Sequence, residues 1–144
     1  MMKTLFAGLA LIAVMTSCGG AMTTTYKASL LGSSEVPPVT TNSNTKADVT
    51  ATLDISTSVL TVNGTYSYLT GQVTAQHIRG PAGAGAIGAI VFTLTNTATV
   101  VQGSFTGSFT LSASQISDLN NGLYYINLET AQNPTGEVRG QLVK

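Results

Sequence analysis

Between residues 47 and 55 the chain alternates strictly, with Val49, Ala51, Leu53 and Ile55 on one side of an extended strand and Asp48, Thr50, Thr52 and Asp54 on the other. A period of two marks a strand with one face buried and one in water. Leu60, Val62, Tyr66 and Tyr68 repeat the pattern around Gly64, and Ser56-Thr57-Ser58 between the two runs predicts a hairpin. Further β-prone runs, bounded by turn residues, cover 72–79, 87–94, 100–111, 123–130 and 137–143. Short strands at this spacing predict an all-β fold, an Ig-like or Greek-key sandwich of about seven to nine strands.

One short helix interrupts the strands, near residues 112–121. Ser112 and Gln115 have the spacing of a capping box, and Leu111 and Ile116 that of a hydrophobic staple. Ile116 and Leu119 then face the sheet, and Gly122 supplies the left-handed residue that ends the helix.

At 144 residues the chain has room for one domain with a real core. Only 8% of it is charged, six basic and six acidic residues, so no broad field exists to attract nucleic acid. The N-terminus adds an address. Met1-Met2-Lys3 is followed by an apolar and small-residue run from Leu5 to Met15, too short to span a bilayer comfortably. Met15-Thr16-Ser17-Cys18-Gly19-Gly20 then resembles the bacterial lipobox, with Met15 where Leu is more usual. A lone cysteine cannot form an internal disulfide, which favours its use as a lipid anchor. The expected organisation is a signal peptide over 1–17, a polar tether over 18–25 and a domain over 26–144. Lipid on Cys18 would place that domain outside the cytoplasm on a bacterial envelope. In a diderm cell this is the outer membrane, since Gly19 is not the acidic residue that holds such proteins at the inner one. The expected partners are the membrane and an envelope protein or polysaccharide.

Candidate chemistry is sparse. Gly83-Ala84-Gly85-Ala86-Ile87-Gly88 has the glycine pattern of a dinucleotide site but lacks the following helix and the distant acid, so it is expected to be a loop. No serine stands in a Gly-x-Ser-x-Gly elbow, and His77 is the only histidine. No catalytic residue, cofactor or dedicated metal site is expected, because zinc and copper generally draw three or four ligands from His, Cys and carboxylates. The competing reading is a metal-binding or enzymatic sandwich centred on His77, Glu129 and Glu137, with Glu35 as a further carboxylate.

Four segments read together carry a resemblance: Glu35-Val36-Pro37-Pro38, Gln76-His77-Ile78-Arg79-Gly80-Pro81, Gly122-Leu123-Tyr124-Tyr125-Ile126-Asn127 and Gly136-Glu137-Val138-Arg139-Gly140-Gln141. In order and spacing they resemble the CHRD domain, the module named after chordin and common in bacterial exported proteins. The resemblance covers nearly all of the chain after Tyr26 and implies a β-sandwich placed outside the cytoplasm, with no general chemistry attached. Two positions depart from the family: His77-Ile78-Arg79 stands for His-Ile-His, and Glu129-Thr130 for a histidine before Thr. The replacements are opposite in charge, which suggests an Arg79–Glu129 ion pair. In the terminal hairpin, Tyr124, Ile126, Leu128, Val138 and Leu142 are expected on the buried face and Asn127, Glu129, Glu137, Arg139 and Gln141 on the polar one. A register pairing Glu129 with Arg139 would set Glu129 between two arginines. His77, Arg79, Glu129, Glu137 and Arg139 thus form the one concentrated polar cluster that the sequence nominates. A non-enzymatic binding or structural module is the favoured reading, making contact through its Thr- and Ser-rich strand faces and the loop 80–88.

Overall fold

A computed structural model describes residues 20–96 and 100–144; the expected leader, Cys18 and Gly19 lie outside the described residues. The described residues form nine strands and one α-helix: β1 (Thr23–Ser29), β2 (Lys46–Asp54), β3 (Val59–Ser67), β4 (Val73–Arg79), β5 (Ile90–Thr93), β6 (Thr95–Asn96), β7 (Gly103–Thr110), α1 (Ala113–Asn120), β8 (Tyr125–Thr130) and β9 (Val138–Gln141). All strand pairs are antiparallel, in a five-stranded sheet of order β1-β2-β3-β7-β6 and a four-stranded sheet of order β5-β4-β8-β9. The fold is the all-β sandwich that the alternation implies.

The alternating residues make the core. Val49, Ala51 and Leu53 of β2 lie with Tyr26 of β1, Leu60 and Val62 of β3 and Phe105 of β7 on the inner face of the larger sheet. Ile78, Ile126, Leu128, Val138 and Leu142 meet them from the smaller one. The helix is capped as its sequence implies, with Ser112 Oγ accepting from the Gln115 amide and Gln115 Oε1 from the Ser112 amide. Leu119 is buried, Ile116 packs at the core's margin, and Gly122 takes a φ of +67°.

Strand boundaries differ from the sequence reading chiefly in three places. Thr23 to Thr25, polar enough to read as tether, pair with Asp54 to Thr52 and open β1. The run 100–111 contributes only Gly103–Thr110 to β7. The run 87–94 gives β5 only at Ile90–Thr93, and Leu94 then turns the chain into β6 on the other sheet. Leu94 donates its amide to Gln76 O at 2.9 Å while Gln76 Nε2 bonds the Leu94 carbonyl at 2.7 Å, so this corner is fixed to β4.

At the opposite edge β1 bonds to the other sheet through its far side. Lys27 and Val143 exchange backbone bonds of 2.7 and 3.0 Å, and Leu31 and Arg139 exchange bonds of 2.9 and 3.1 Å. Exposed strand edges invite pairing with other chains; this seam covers the edge of β9 and joins the sheets.

Gly140 lets the seam close, since a Cβ there would lie 2.5 Å from Ser29 O and 3.3 Å from Ala28 Cβ. Backbone cannot yield as a flexible side chain does, so Gly140→Ala is expected to cost about 1–3 kcal/mol. A thermal melt should show this as a loss of roughly 2–4 °C per kcal/mol.

Candidate functional site

Alternation along β4, β8 and β9 aims Arg79, Tyr125, Asn127, Glu129, Arg139 and Gln141 away from the core. Strand residues on an outer face normally meet water, yet Tyr125, Asn127 and Arg139 are each only 2% exposed. Two loops cover them. The first, 80–89, is fastened by the sheet's own side chains: Arg79 Nε donates to Gly88 O (3.1 Å), Arg139 Nη2 to Gly83 O (3.1 Å) and Gln141 Nε2 to Ala82 O (3.0 Å). Tyr125 Oη accepts from the Gly88 amide at 3.1 Å. The glycine-rich segment is therefore a tied cover between strands, as its lack of a following helix implies.

The second cover follows the Leu31–Arg139 bridge. A 3-10 turn at Gly32–Ser34 turns the chain, and the Glu35 and Val39 amides both bond to Gly32 O, at 3.1 and 2.9 Å. The turn brings Glu35 over the sheet, where it and Arg139 both line a cleft of about 450 Å³ with Val36, Pro37, Ile87 and Pro134 at its sides.

The nominated residues do not all assemble. Arg79 and Glu129 are ion-paired, Nη1 to Oε1 at 3.3 Å, and His77 Nδ1 lies 3.1 Å from the same oxygen. Arg139 stands on the same face but opposite Asn127, because the connection from β8 to β9 sets Leu128 against Val138 and Asn127 against Arg139. Glu129 consequently sits between His77 and Arg79, not between two arginines. The Arg139 guanidinium lies 3.5 Å from the centre of the Tyr125 ring and also bonds Gln141 Oε1.

Glu137 leaves the cluster altogether. It precedes β9, so strand alternation does not fix its direction, and its fully buried carboxylate turns to donors at the end of the sandwich. Oε1 accepts from the Thr70 amide (2.6 Å) and Oε2 from Thr130 Oγ1 (2.8 Å). The constellation of His77, Glu129 and Glu137 is not formed. Among the described residues no three or more of His, Cys, Asp and Glu converge as metal ligands would.

In place of Glu137 the structure brings in Glu35 and Asn127. Asn127 Nδ2 donates to Thr135 O at 3.1 Å, but among the described residues no donor reaches its buried Oδ1 or the buried Glu35 Oε1. The two oxygens are neighbours across Gly136: a Cβ on that glycine would collide with Asn127 Oδ1 and lie 2.6 Å from Glu35 Oε1. Gly136 also has a φ of +140°, which a side chain resists. Burial pushes the Glu35 carboxyl up to about 7, the Glu129 charge adds to the rise, and Arg139 and Arg79 oppose it. Periodicity could not flag Glu35, which lies in irregular chain; the sequence offered it only as a further carboxylate and within the Glu35-Val36-Pro37-Pro38 segment of the resemblance.

Compared with known proteins, the chain matches a family profile described as CHRD domain over residues 26–142. No curated protein and no solved structure matches it.

Glu35 makes stability depend on pH. A carboxyl near 4.5 when unfolded and near 7 when folded keeps its proton longer in the native state. Its favourable contribution is complete below about pH 4.5 and is lost as pH rises through about 7. The wild type should lose stability relative to Glu35→Gln between about pH 5 and pH 8, by on the order of 1 kcal/mol with water reaching the cleft mouth. Thermal melts at several pH values check this, and parallel curves for the two proteins would refute it.

Proposed function

This chain belongs to the CHRD domain family, and from that premise we propose that it is a non-enzymatic binding module, held on a bacterial envelope by lipid on Cys18 and working through its loop-covered cleft. The observation that carries the reading is the pair of buried acceptors, Glu35 Oε1 and Asn127 Oδ1, that lack donors among the described residues when Glu35 is ionised. An unsatisfied buried polar atom costs about 1–3 kcal/mol. A site that tolerates two of them beside a cleft is arranged for a partner that supplies the donors.

The anchor fits this geometry. No helix among the described residues is long and apolar enough to cross a membrane; the attachment in this reading is through the lipobox cysteine. From Cys18 to the start of β1 at Thr23 the chain can extend at most about 18 Å. The domain would sit close to the lipid surface. Glu35 lies past the opposite end of β1, beyond Leu31, so the cleft would open away from the anchor.

In this reading the nominated carboxylates are structural: Glu129 is engaged by His77 and Arg79, and Glu137 by Thr70 and Thr130.

Mass spectrometry of protein purified from membranes should find Cys18 acylated and N-terminal. The same domain, exported behind a non-lipidated leader, should co-sediment with isolated envelope material, and Ile87→Asp at the exposed cleft mouth should weaken that retention severalfold. An unlipidated chain beginning after Cys18 would overturn the anchor, and a domain that does not sediment would overturn the binding role.

A further inference from the structure

We infer that the cleft over β8 and β9 binds a neutral saccharide unit, whose hydroxyls supply the donors that Glu35 and Asn127 lack. This deepens the binding role proposed above and rests on it.

The charge inventory of the cleft selects the ligand class. Glu35 and Glu129 line it together with Arg79 and Arg139. A free cation would find Glu129 already engaged by Arg79 and His77, with the second guanidinium of Arg139 beside it. An anion would be drawn to the arginines but would bring more acceptors to two oxygens that already have none to spare. A hydroxyl group does both jobs, donating to one neighbour and accepting from another. Several hydroxyls on one rigid ring fit a floor that alternates carboxyl, amide and guanidinium.

The walls agree with the floor. Val36, Pro37, Pro134 and Ile87 present apolar surface, which suits the C–H faces of a sugar ring and offers nothing to a highly charged group. Ile87 is 68% exposed, so this wall stands open to a ligand arriving from solvent. At about 450 Å³ the space is of the size that binds small molecules. The left-handed, side-chain-free Gly136 is what allows the two acceptors to stand side by side, and with Glu35 ionised no donor among the described residues serves either of them.

The test is calorimetric titration of the purified full chain with the tetramers of chitin, cellulose and maltose, with tetralysine and inorganic phosphate as charged probes. At least one neutral tetrasaccharide is expected to bind, with affinity lowered about tenfold by Glu35→Ala and severalfold by Ile87→Ala, while Thr61→Ala on the far sheet leaves it unchanged. Thermal melts establish that each variant is folded; should Glu35→Ala not fold, the exposed Ile87 variant carries the comparison. Affinity for tetralysine or phosphate with none for the saccharides overturns the inference, as does saccharide binding that neither Glu35→Ala nor Ile87→Ala alters. Retention on envelope material without affinity for any of the three saccharides overturns this inference and leaves the binding role standing. Absence of both overturns both.

Discussion

Two pairs of backbone hydrogen bonds hold β1 to β9, and the pair between Leu31 and Arg139 has the widest consequences. Because β1 belongs to the larger sheet and β9 to the smaller, this bond fixes one sheet against the other at the edge where both would otherwise end. It also sets where the chain goes next. The turn at Gly32–Ser34 starts from a fixed point, so Glu35 arrives above Asn127 and Gly136 rather than in solvent. Gly140 contributes by leaving room for the Ser29 carbonyl. Edge protection and site construction are one feature of this fold.

The same seam explains why an outer sheet face is buried. The segment around Glu35 covers one side of it and the loop 80–89 the other, the latter fastened by Arg79, Tyr125, Arg139 and Gln141. Arg139 takes part in both arrangements, through its backbone in the seam and through its guanidinium under the loop. Such a layer of polar side chains is costly unless each is satisfied. Most are; among the described residues the exceptions are Gln76 Oε1, at the corner with Leu94, and Glu35 Oε1 and Asn127 Oδ1, which lie together beside a cleft. Their position gives the proposed function its physical basis.

Much of the fold was legible in the sequence. Residues 47–55 alternate because their strand has one face in the core, and Ser112 with Gln115 announces a helix start by its own chemistry. The Arg79–Glu129 contact was legible through the resemblance, since these two positions depart from the family's histidines with opposite charges. What escaped depends on tertiary closure. The β8–β9 register placed Arg139 opposite Asn127, two residues from where charge matching alone would put it. Glu137 turned to Thr70, a residue distant in sequence that no local pattern connects to it. Glu35 had no periodicity to reveal it, and its place comes from the seam that precedes it.

The seam itself admits a direct measurement: native-state hydrogen exchange at the Leu31 and Arg139 amides, compared with Ile126 in the middle of the smaller sheet. If the two bonds hold the sandwich and its cleft together, all three amides exchange only through global unfolding and report the same free energy. Exchange at Leu31 and Arg139 that is orders of magnitude faster than at Ile126, as at a fraying edge, would contradict the account.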